Sequence, residues 1–210
     1  MNGYADDLAA LIEALDLKDI TMVGHSTGGG EVTRYIGRHG TSRVSKAVLI
    51  AAVPPVLVKS PTNPEGLPIE LFDGLRSGLA NDRAQFYKEF AIPFYGANRP
   101  GAKVSEGLLD QFVVWSMQSG LKNSYECVKA FSETDFHDDL AKFDVPTLLM
   151  HGEDDQIVPI DLSSRKSATL IPGAAEIYYP GLPHGLTGTH ADIVNRDLLA
   201  FCQQSQRQLA

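Results

Sequence analysis

The sequence predicts an α/β fold in which a mostly parallel sheet is flanked by helices. Short apolar runs that suit strands alternate along the chain with amphipathic segments that suit helices. The runs 44–52 and 145–150 are almost entirely apolar, which is typical of parallel strands buried on both faces. Residues 56–143 separate these two runs and show mainly helical periodicity, so we expect a helical insertion within the sheet.

The N-terminal part is predicted to run helix, strand, helix, strand. The opening helix has four apolar residues at helical spacing, namely Leu8, Leu11, Ile12 and Leu15. A strand follows at residues 20–24, and then a helix with its buried face formed by Val32, Tyr35 and Ile36. This helix is expected to end at Gly40, and Pro54-Pro55 follows the next strand.

The rest of the chain continues the pattern after the insertion. Helical periodicity within the insertion occurs around 68–79, 82–91, 105–118 and 121–131. Beyond it we expect a helix over 161–170, a strand at 176–179 and a last helix whose start is capped by Thr189 and Asp192. These elements divide the chain into a core segment 1–55, a cap 56–143 and a second core segment 144–210.

The most informative motif is Gly24-His25-Ser26-Thr27-Gly28, which lies between a predicted strand and a predicted helix. It matches G-x-S-x-G, a tight turn that exposes a nucleophilic serine. Glycines two before and two after Ser26 are expected because side chains there would collide as strand and helix pass. On these five residues alone, a plain glycine-rich turn before a helix explains the pattern equally well.

Two downstream loops supply partners for a nucleophilic serine. An acidic loop, Glu153-Asp154-Asp155, follows the strand at 145–150, and His184 lies between Pro183 and Gly185 after the strand at 176–179. A serine hydroxyl needs an adjacent base that is oriented by a third group, and here the order is serine, acid, histidine. His184 alone would be a solvated loop histidine, but together these residues predict a catalytic triad.

The remaining histidines and cysteines have simpler explanations. His25 is expected to be a packed, hydrogen-bonded ring and His151 a structural turn residue. Cys127 and Cys202 are far apart in apolar settings, which favours buried reduced thiols. The sequence shows no metal-ligand spacing, so we expect no metal and no cofactor.

Bulk properties limit the partners. A net charge of −8 and a pI near 5.2 argue against nucleic acid or an anionic membrane surface as a partner. The longest apolar runs fall short of the ~20 residues of a membrane span, and the acidic N-terminus does not resemble a signal peptide. We therefore expect a cytoplasmic protein that acts on a small molecule.

The predicted cap is the most aromatic part of the chain, and it is where substrate choice would be decided. Most of its aromatic residues are expected to form the core of the cap. Trp115 and Phe131 are the candidates for walls of an apolar substrate pocket.

Three longer strings carry a family resemblance: GHSTGGGEVTRYIGRHG, SETDFHDDLAKFDVPTLLMHGEDDQIVP and YYPGLPHGLTGTH. They resemble the α/β-hydrolase group that contains cofactor-free haloperoxidases, arylesterases and perhydrolases. The resemblance implies Ser26 as nucleophile, His184 as general base and the Thr27 backbone N–H as an oxyanion donor. The family motif H-G-x-x-D-x-x-V-P implies Asp155 as the acid, with Asp154 and then Glu153 as alternatives.

The resemblance also implies a truncated α/β-hydrolase fold, because family members carry several strands before the segment that matches Met1. The second oxyanion donor comes from that part of the family fold. Residues 20–24 would then form an edge strand, which favours pairing in a homodimer. The function implied is cleavage of small esters with perhydrolase or haloperoxidase side activity, and the alternative is a non-catalytic remnant with a binding or assembly role.

Overall fold

The structure is a computed structural model and describes residues 1–204. Its four strands form one parallel sheet in the order β1-β2-β3-β4: Ile20–His25 (β1), Val44–Ile50 (β2), Thr147–Gly152 (β3) and Ala175–Tyr179 (β4). The predicted parallel α/β class is confirmed. The last six residues of the predicted segment 144–210 lie outside the described range.

Helices precede, connect and follow these strands. In chain order they are Asn2–Ala14 (α1), Thr27–His39 (α2), Ile69–Phe94 (α3), Glu106–Met117 (α4), Leu121–Glu133 (α5), His137–Leu140 (α6), Ser164–Leu170 (α7), Leu186–Thr189 (α8) and Ala191–Gln203 (α9). A 3₁₀ turn at Ile160–Leu162 precedes α7.

Each face of the sheet packs against its own hydrophobic core. Ala47 and Leu49 of β2 pack in a cluster that includes residues of α1, α2 and the helical insertion. Val48 and Ile50 of the same strand pack on the other side, in a cluster with α8 and α9. Because successive strand side chains point to opposite faces, the almost continuous apolar run of β2 is buried on both sides.

The register brings the carboxyl ends of the strands together. His25 at the end of β1 pairs with Ile50 of β2, and Ile50 pairs with Met150 of β3. Gly152 at the end of β3 pairs with Tyr179 of β4. The loops that follow β1, β3 and β4 therefore meet at one edge of the sheet, where ligand sites form in open parallel sheets.

The insertion between β2 and β3 is helical, as predicted. The two helical segments expected at 68–79 and 82–91 are both present, and a non-helical residue, Asp82 (φ −152°, ψ 88°), separates them within the span labelled α3. α3 packs against α4 and α5, whereas α6 packs against α2 and α7 of the sheet-flanking layer. The division into two core segments and a cap at 56–143 stays a prediction.

The opening helix forms as its apolar spacing predicts, and it meets the core through Ala5 and Ile12, whereas Leu11 and Leu15 are 54% and 60% exposed. Two other local expectations are wrong. The helix predicted over 161–170 is divided by a break at Ser163 (φ −128°, ψ −96°). Thr189 belongs to the short helix α8, and its hydroxyl donates to the Gly185 carbonyl (3.3 Å) rather than capping α9.

No helix within residues 1–204 is both long enough and apolar enough to cross a membrane.

Candidate active site

Ser26 occupies the turn between β1 and α2 in a backbone conformation that side chains rarely adopt (φ 55°, ψ −121°). Such a conformation costs about 1–3 kcal/mol and persists only where the surroundings enforce it. Here the Ser26 N–H donates to the Ile50 carbonyl (2.9 Å), and the Ser26 carbonyl accepts from the Gly29 N–H (3.0 Å). The turn is therefore fixed to β2 on one side and to α2 on the other.

The steric reason for glycine applies at Gly24 as predicted, but on the other side of Ser26 it applies at Gly29 rather than at Gly28. A Cβ on Gly24 would lie 2.4 Å from the Gly28 carbonyl oxygen. A Cβ on Gly28 would meet no heavy atom within 4 Å among the described residues, so the expectation for Gly28 is wrong. The close approach falls on Gly29 instead, where a Cβ would lie 2.3 Å from the Cβ of Ala52.

The loop after β4 brings His184 to this serine. His184 Nε2 lies 2.9 Å from Ser26 Oγ, and the histidine is fully buried. The Gly185 N–H donates to the Phe94 carbonyl at 2.7 Å, and the Phe94 ring stands edge-on to the His184 ring at 4.8 Å between centroids. The end of α3 thus fixes the loop that carries the histidine.

The loop after β3 brings one of its three acidic residues to the far side of the ring. Asp155 Oδ2 lies 2.7 Å from His184 Nδ1, and Asp155 Oδ1 accepts the backbone N–H groups of Ile157 and Val158, both at 2.8 Å. Asp154 instead pairs with Arg99 (2.5 and 2.6 Å), and Glu153 with Arg165 (2.7 Å). The geometry places Asp155, and neither alternative, beside His184.

These contacts fix the protonation pattern. Burial favours the neutral form of Asp155, but hydrogen bonds from His151 and His184 outweigh it and hold the pKa of Asp155 well below its usual range. The ionised carboxylate can only accept, so His184 Nδ1–H donates to it. His184 Nε2 is then left to accept the Ser26 hydroxyl proton, the arrangement that a general base needs.

A second imidazole, that of His25, is hydrogen-bonded to the backbone of His184. His25 Nε2 lies 3.1 Å from the His184 carbonyl oxygen and therefore donates to it. Burial, assisted by the nearby His184, lowers the pKa of His25 to about 4. His25 is therefore the neutral, packed and hydrogen-bonded ring that the sequence predicts.

Thr27 is the first residue of α2 and directly follows Ser26. The N–H groups of a first helical turn lack carbonyl partners within their helix, and the helix dipole places positive charge there. The Thr27 backbone N–H belongs to this first turn, and its role as an oxyanion donor stays a prediction.

Ser26 and His184 open into a cavity of about 470 Å³. Its walls are mainly apolar and come from both the sheet edge and α3, with Phe72, Phe94, Phe131 and Val158 among them. A second cavity of about 390 Å³ shares Thr27, Leu75, Phe90 and Phe131 with the first. Phe131 therefore lies where the two cavities meet.

Comparison with known proteins identifies the family. The profile of the alpha/beta hydrolase fold matches residues 2–191. The chain belongs to the α/β-hydrolase family. It is 54% identical over 204 residues to a non-heme haloperoxidase of Rhodococcus erythropolis, a match that covers 97% of this chain and 74% of that protein.

Two further relatives agree with this assignment. A bifunctional esterase/perhydrolase of Acinetobacter calcoaceticus is 52% identical, over 96% of this chain and 73% of that protein. The crystal structure of a bromoperoxidase from Bacillus anthracis superimposes with a TM-score of 0.92 at 41% identity, over 95% of this hydrolase and 73% of that chain.

Of the two predicted pocket residues, Phe131 lines the cavity at Ser26 and Trp115 does not, so the prediction for Trp115 is wrong and a contact of Phe131 with substrate stays a prediction. Trp115 is 61% exposed and lies outside both cavities of the hydrolase. Its helix, α4, meets α3 through Phe112, whose ring lies 4.9 Å from that of Phe94. Helical periodicity identifies α4 but does not say which of its aromatic residues faces the serine.

Sequence reasoning also missed two parts of the site. Phe94, which was not among the candidate pocket residues, contacts the His184 ring and lines the serine cavity. His151, assigned to a structural turn, is fully buried and lies 3.0 Å from Asp155. The signal for His151 was its place in the H-G-x-x-D string, four residues before the aspartate.

Within residues 1–204, histidine, cysteine, aspartate and glutamate side chains form no group of three or more that is arranged to hold a metal ion.

Proposed function

We propose that this protein is a carboxylic ester hydrolase that cleaves small esters through an acyl-enzyme on Ser26. The observation that carries the proposal is the continuous hydrogen-bonded chain from Ser26 Oγ to His184 (2.9 Å) and from His184 to Asp155 (2.7 Å). Each contact lies within the distance needed for proton transfer, and the outer carboxylate is ionised.

The reaction follows from this order of groups. Ser26 Oγ attacks the acyl carbon while His184 Nε2 takes its proton, and Asp155 stabilises the imidazolium that forms. The protonated His184 then gives this proton to the departing alkoxide or phenoxide. Water enters and attacks the acyl carbon while His184 takes its proton. The acyl–Ser26 bond then breaks, His184 returns that proton to Ser26 Oγ, and the carboxylic acid leaves.

Hydrogen peroxide can replace water in the second half of the reaction. Attack of its oxygen on the acyl-enzyme releases a peracid and regenerates Ser26, with His184 again as base. A peracid oxidises halide to hypohalite and becomes the carboxylic acid, so haloperoxidase activity needs no redox cofactor in the protein. The names of the esterase/perhydrolase and haloperoxidase relatives support this side activity.

The cavity at Ser26 supports a small, uncharged acyl group. Apart from Ser26, Thr27 and His184, Gln156 is the one polar residue among those that line it. A charged acyl group would lose its hydration there and would find few polar side chains to hydrogen-bond with. Phe131 and Phe94 are proposed to contact the acyl chain.

We expect p-nitrophenyl acetate and butyrate to be hydrolysed and emulsified long-chain triglyceride to be hydrolysed poorly. A cavity of about 470 Å³ accommodates a short acyl chain but not three long ones. p-Nitrophenolate is also a good leaving group, so its reaction depends less on oxyanion donors beyond Thr27. Initial rates with a chain-length series measure this preference, and faster turnover of the emulsified lipid than of the butyrate would contradict it.

We propose a homodimer formed through the β1 side of the sheet. Among the described residues β1 pairs with a strand on one side only and exposes Val23 (45%), and α1 exposes Leu11 and Leu15. An unpaired strand edge together with exposed apolar side chains favours a two-fold contact that closes on itself. Light scattering should give twice the chain mass at micromolar concentration, and an active monomer would contradict the proposal.

The cytoplasmic location predicted from the sequence stays a prediction.

A further inference from the structure

His151 is a buried titratable side chain that the proposed reaction does not use directly. It lies in β3, just before the Gly152 that ends the strand, and is fully buried. Its Nε2 lies 3.0 Å from Asp155 Oδ2 and 2.9 Å from the Val158 carbonyl oxygen. Its Nδ1 lies 2.7 Å from the hydroxyl of Ser164 at the start of α7.

These partners assign the proton on the ring. Both neighbours of Nε2 are acceptors, so Nε2 carries the hydrogen and donates to them. The Ser164 hydroxyl donates to Nδ1 when the ring is neutral. Asp155 Oδ2 therefore accepts from two imidazoles at once, His151 at 3.0 Å and His184 at 2.7 Å.

We infer that His151 is a positioning residue that takes up part of the Asp155 charge and so sets the basicity of His184. The inference rests on the proposed roles of Ser26, Asp155 and His184. Holding the carboxylate in place needs little from His151, because the N–H groups of Ile157 and Val158 already bind Oδ1 at 2.8 Å. The specific contribution of His151 is its N–H on the oxygen that faces His184.

Removing the His151 Nε2–H changes the hydrogen bond between Asp155 and His184. Asp155 Oδ2 then becomes a stronger acceptor for His184 and stabilises the His184 imidazolium more. The other ionisable group against the His184 ring is His25, at 4.9 Å between centroids, and it is neutral at the pH of interest. The general base should therefore stay protonated to a higher pH.

The first experiment compares His151→Leu with His151→Gln through the pH dependence of kcat/KM for p-nitrophenyl acetate. Leucine has no hydrogen-bond donor. We expect the acid limb of the pH profile to move up by about 0.5–1 pH unit, which corresponds to part of the free energy of one hydrogen bond to a charged group. Glutamine places an amide N–H near the position of Nε2 and should return the limb to the wild-type pH. If the leucine variant does not fold, His151→Met, which also lacks a donor, carries the same test.

The second experiment does not depend on activity. Ring ¹⁵N–¹H NMR of the Ser26→Ala protein follows the titration of His184 with and without His151→Leu. An upward shift of the His184 midpoint supports the inference even if Ser26→Ala shows that the esterase proposal is wrong. An unchanged midpoint and acid limb in a folded leucine or methionine variant, or an equal shift in the glutamine variant, overturns it and leaves His151 a packing residue.

Discussion

Replacing Asp155 by asparagine should lower the turnover of p-nitrophenyl acetate by about 10⁴-fold. An asparagine amide that keeps the Ile157 and Val158 N–H groups on its oxygen turns its NH₂ toward His184. His184 Nδ1 must then accept, its proton moves to Nε2, and the ring can no longer accept the Ser26 proton. The same NH₂ also faces the Nε2–H of His151, which leaves two buried donors opposite each other. We therefore expect a loss of about 1–3 kcal/mol in stability, and folding is checked by circular dichroism.

Asp154→Asn is the matched control, since it makes the same change one residue earlier in the same loop. Asp154 pairs with the half-exposed Arg99, and an exposed pair of this kind contributes little to stability because solvent and salt screen it. We therefore expect turnover within about twofold of wild type. Equal losses in the two variants, or a larger loss at Asp154, would show that the acid is assigned to the wrong residue.

Replacing Gly24 by alanine should destabilise the fold by about 3 kcal/mol or more, the upper part of the range for forcing an extra methyl group into a packed site. The new Cβ would lie 2.4 Å from the Gly28 carbonyl oxygen and 2.7 Å from the Gly29 Cα, both backbone atoms that cannot rotate away. For a chain of this size the expected drop in Tm is about 6–12 °C, measured by circular dichroism.

Gly28→Ala is the control in the same motif. A Cβ there would meet no heavy atom within 4 Å among residues 1–204, and alanine is about 0.5–1 kcal/mol more favourable than glycine inside a helix. The Tm of this variant should stay the same or rise. A Gly24→Ala protein as stable as the Gly28→Ala protein would contradict the close approach of β1 and α2.

The elements that were predicted correctly are those in which one physical requirement fixes the pattern. Apart from Ser45 and Lys46, residues 44–52 are apolar because β2 is buried on both faces, and this leaves a signal in the sequence. Gly40 ends α2 with a positive φ of 73°, which glycine adopts at low cost. The proximity of Ser26, His184 and the acidic loop could be predicted because each directly follows, or lies shortly after, a strand of a parallel sheet. Within that loop, the family resemblance rather than the topology singled out Asp155.

Sequence spacing shows that one face of a helix is apolar, but it does not show which other element packs against that face or which of its residues become buried. Leu11 and Leu15 satisfy helical periodicity, yet α1 packs through Ala5 and Ile12. Trp115 and Phe131 both lie in the helical insertion, and only the packing of α3, α4 and α5 decides that Phe131 reaches the cavity. These outcomes depend on how helices rotate about their axes, which local spacing does not fix.

The central claim is that Ser26 is a nucleophile, and Ser26→Ala tests it most directly. The variant removes only the hydroxyl that lies 2.9 Å from His184, so folding should be unaffected and is checked by circular dichroism. We predict that turnover of p-nitrophenyl acetate by the purified variant falls by about 10⁶-fold, to the level that substrate binding and the oxyanion site alone provide. Rates that are the same for Ser26→Ala and wild type would contradict an acyl-enzyme mechanism and favour a binding or assembly role for this fold.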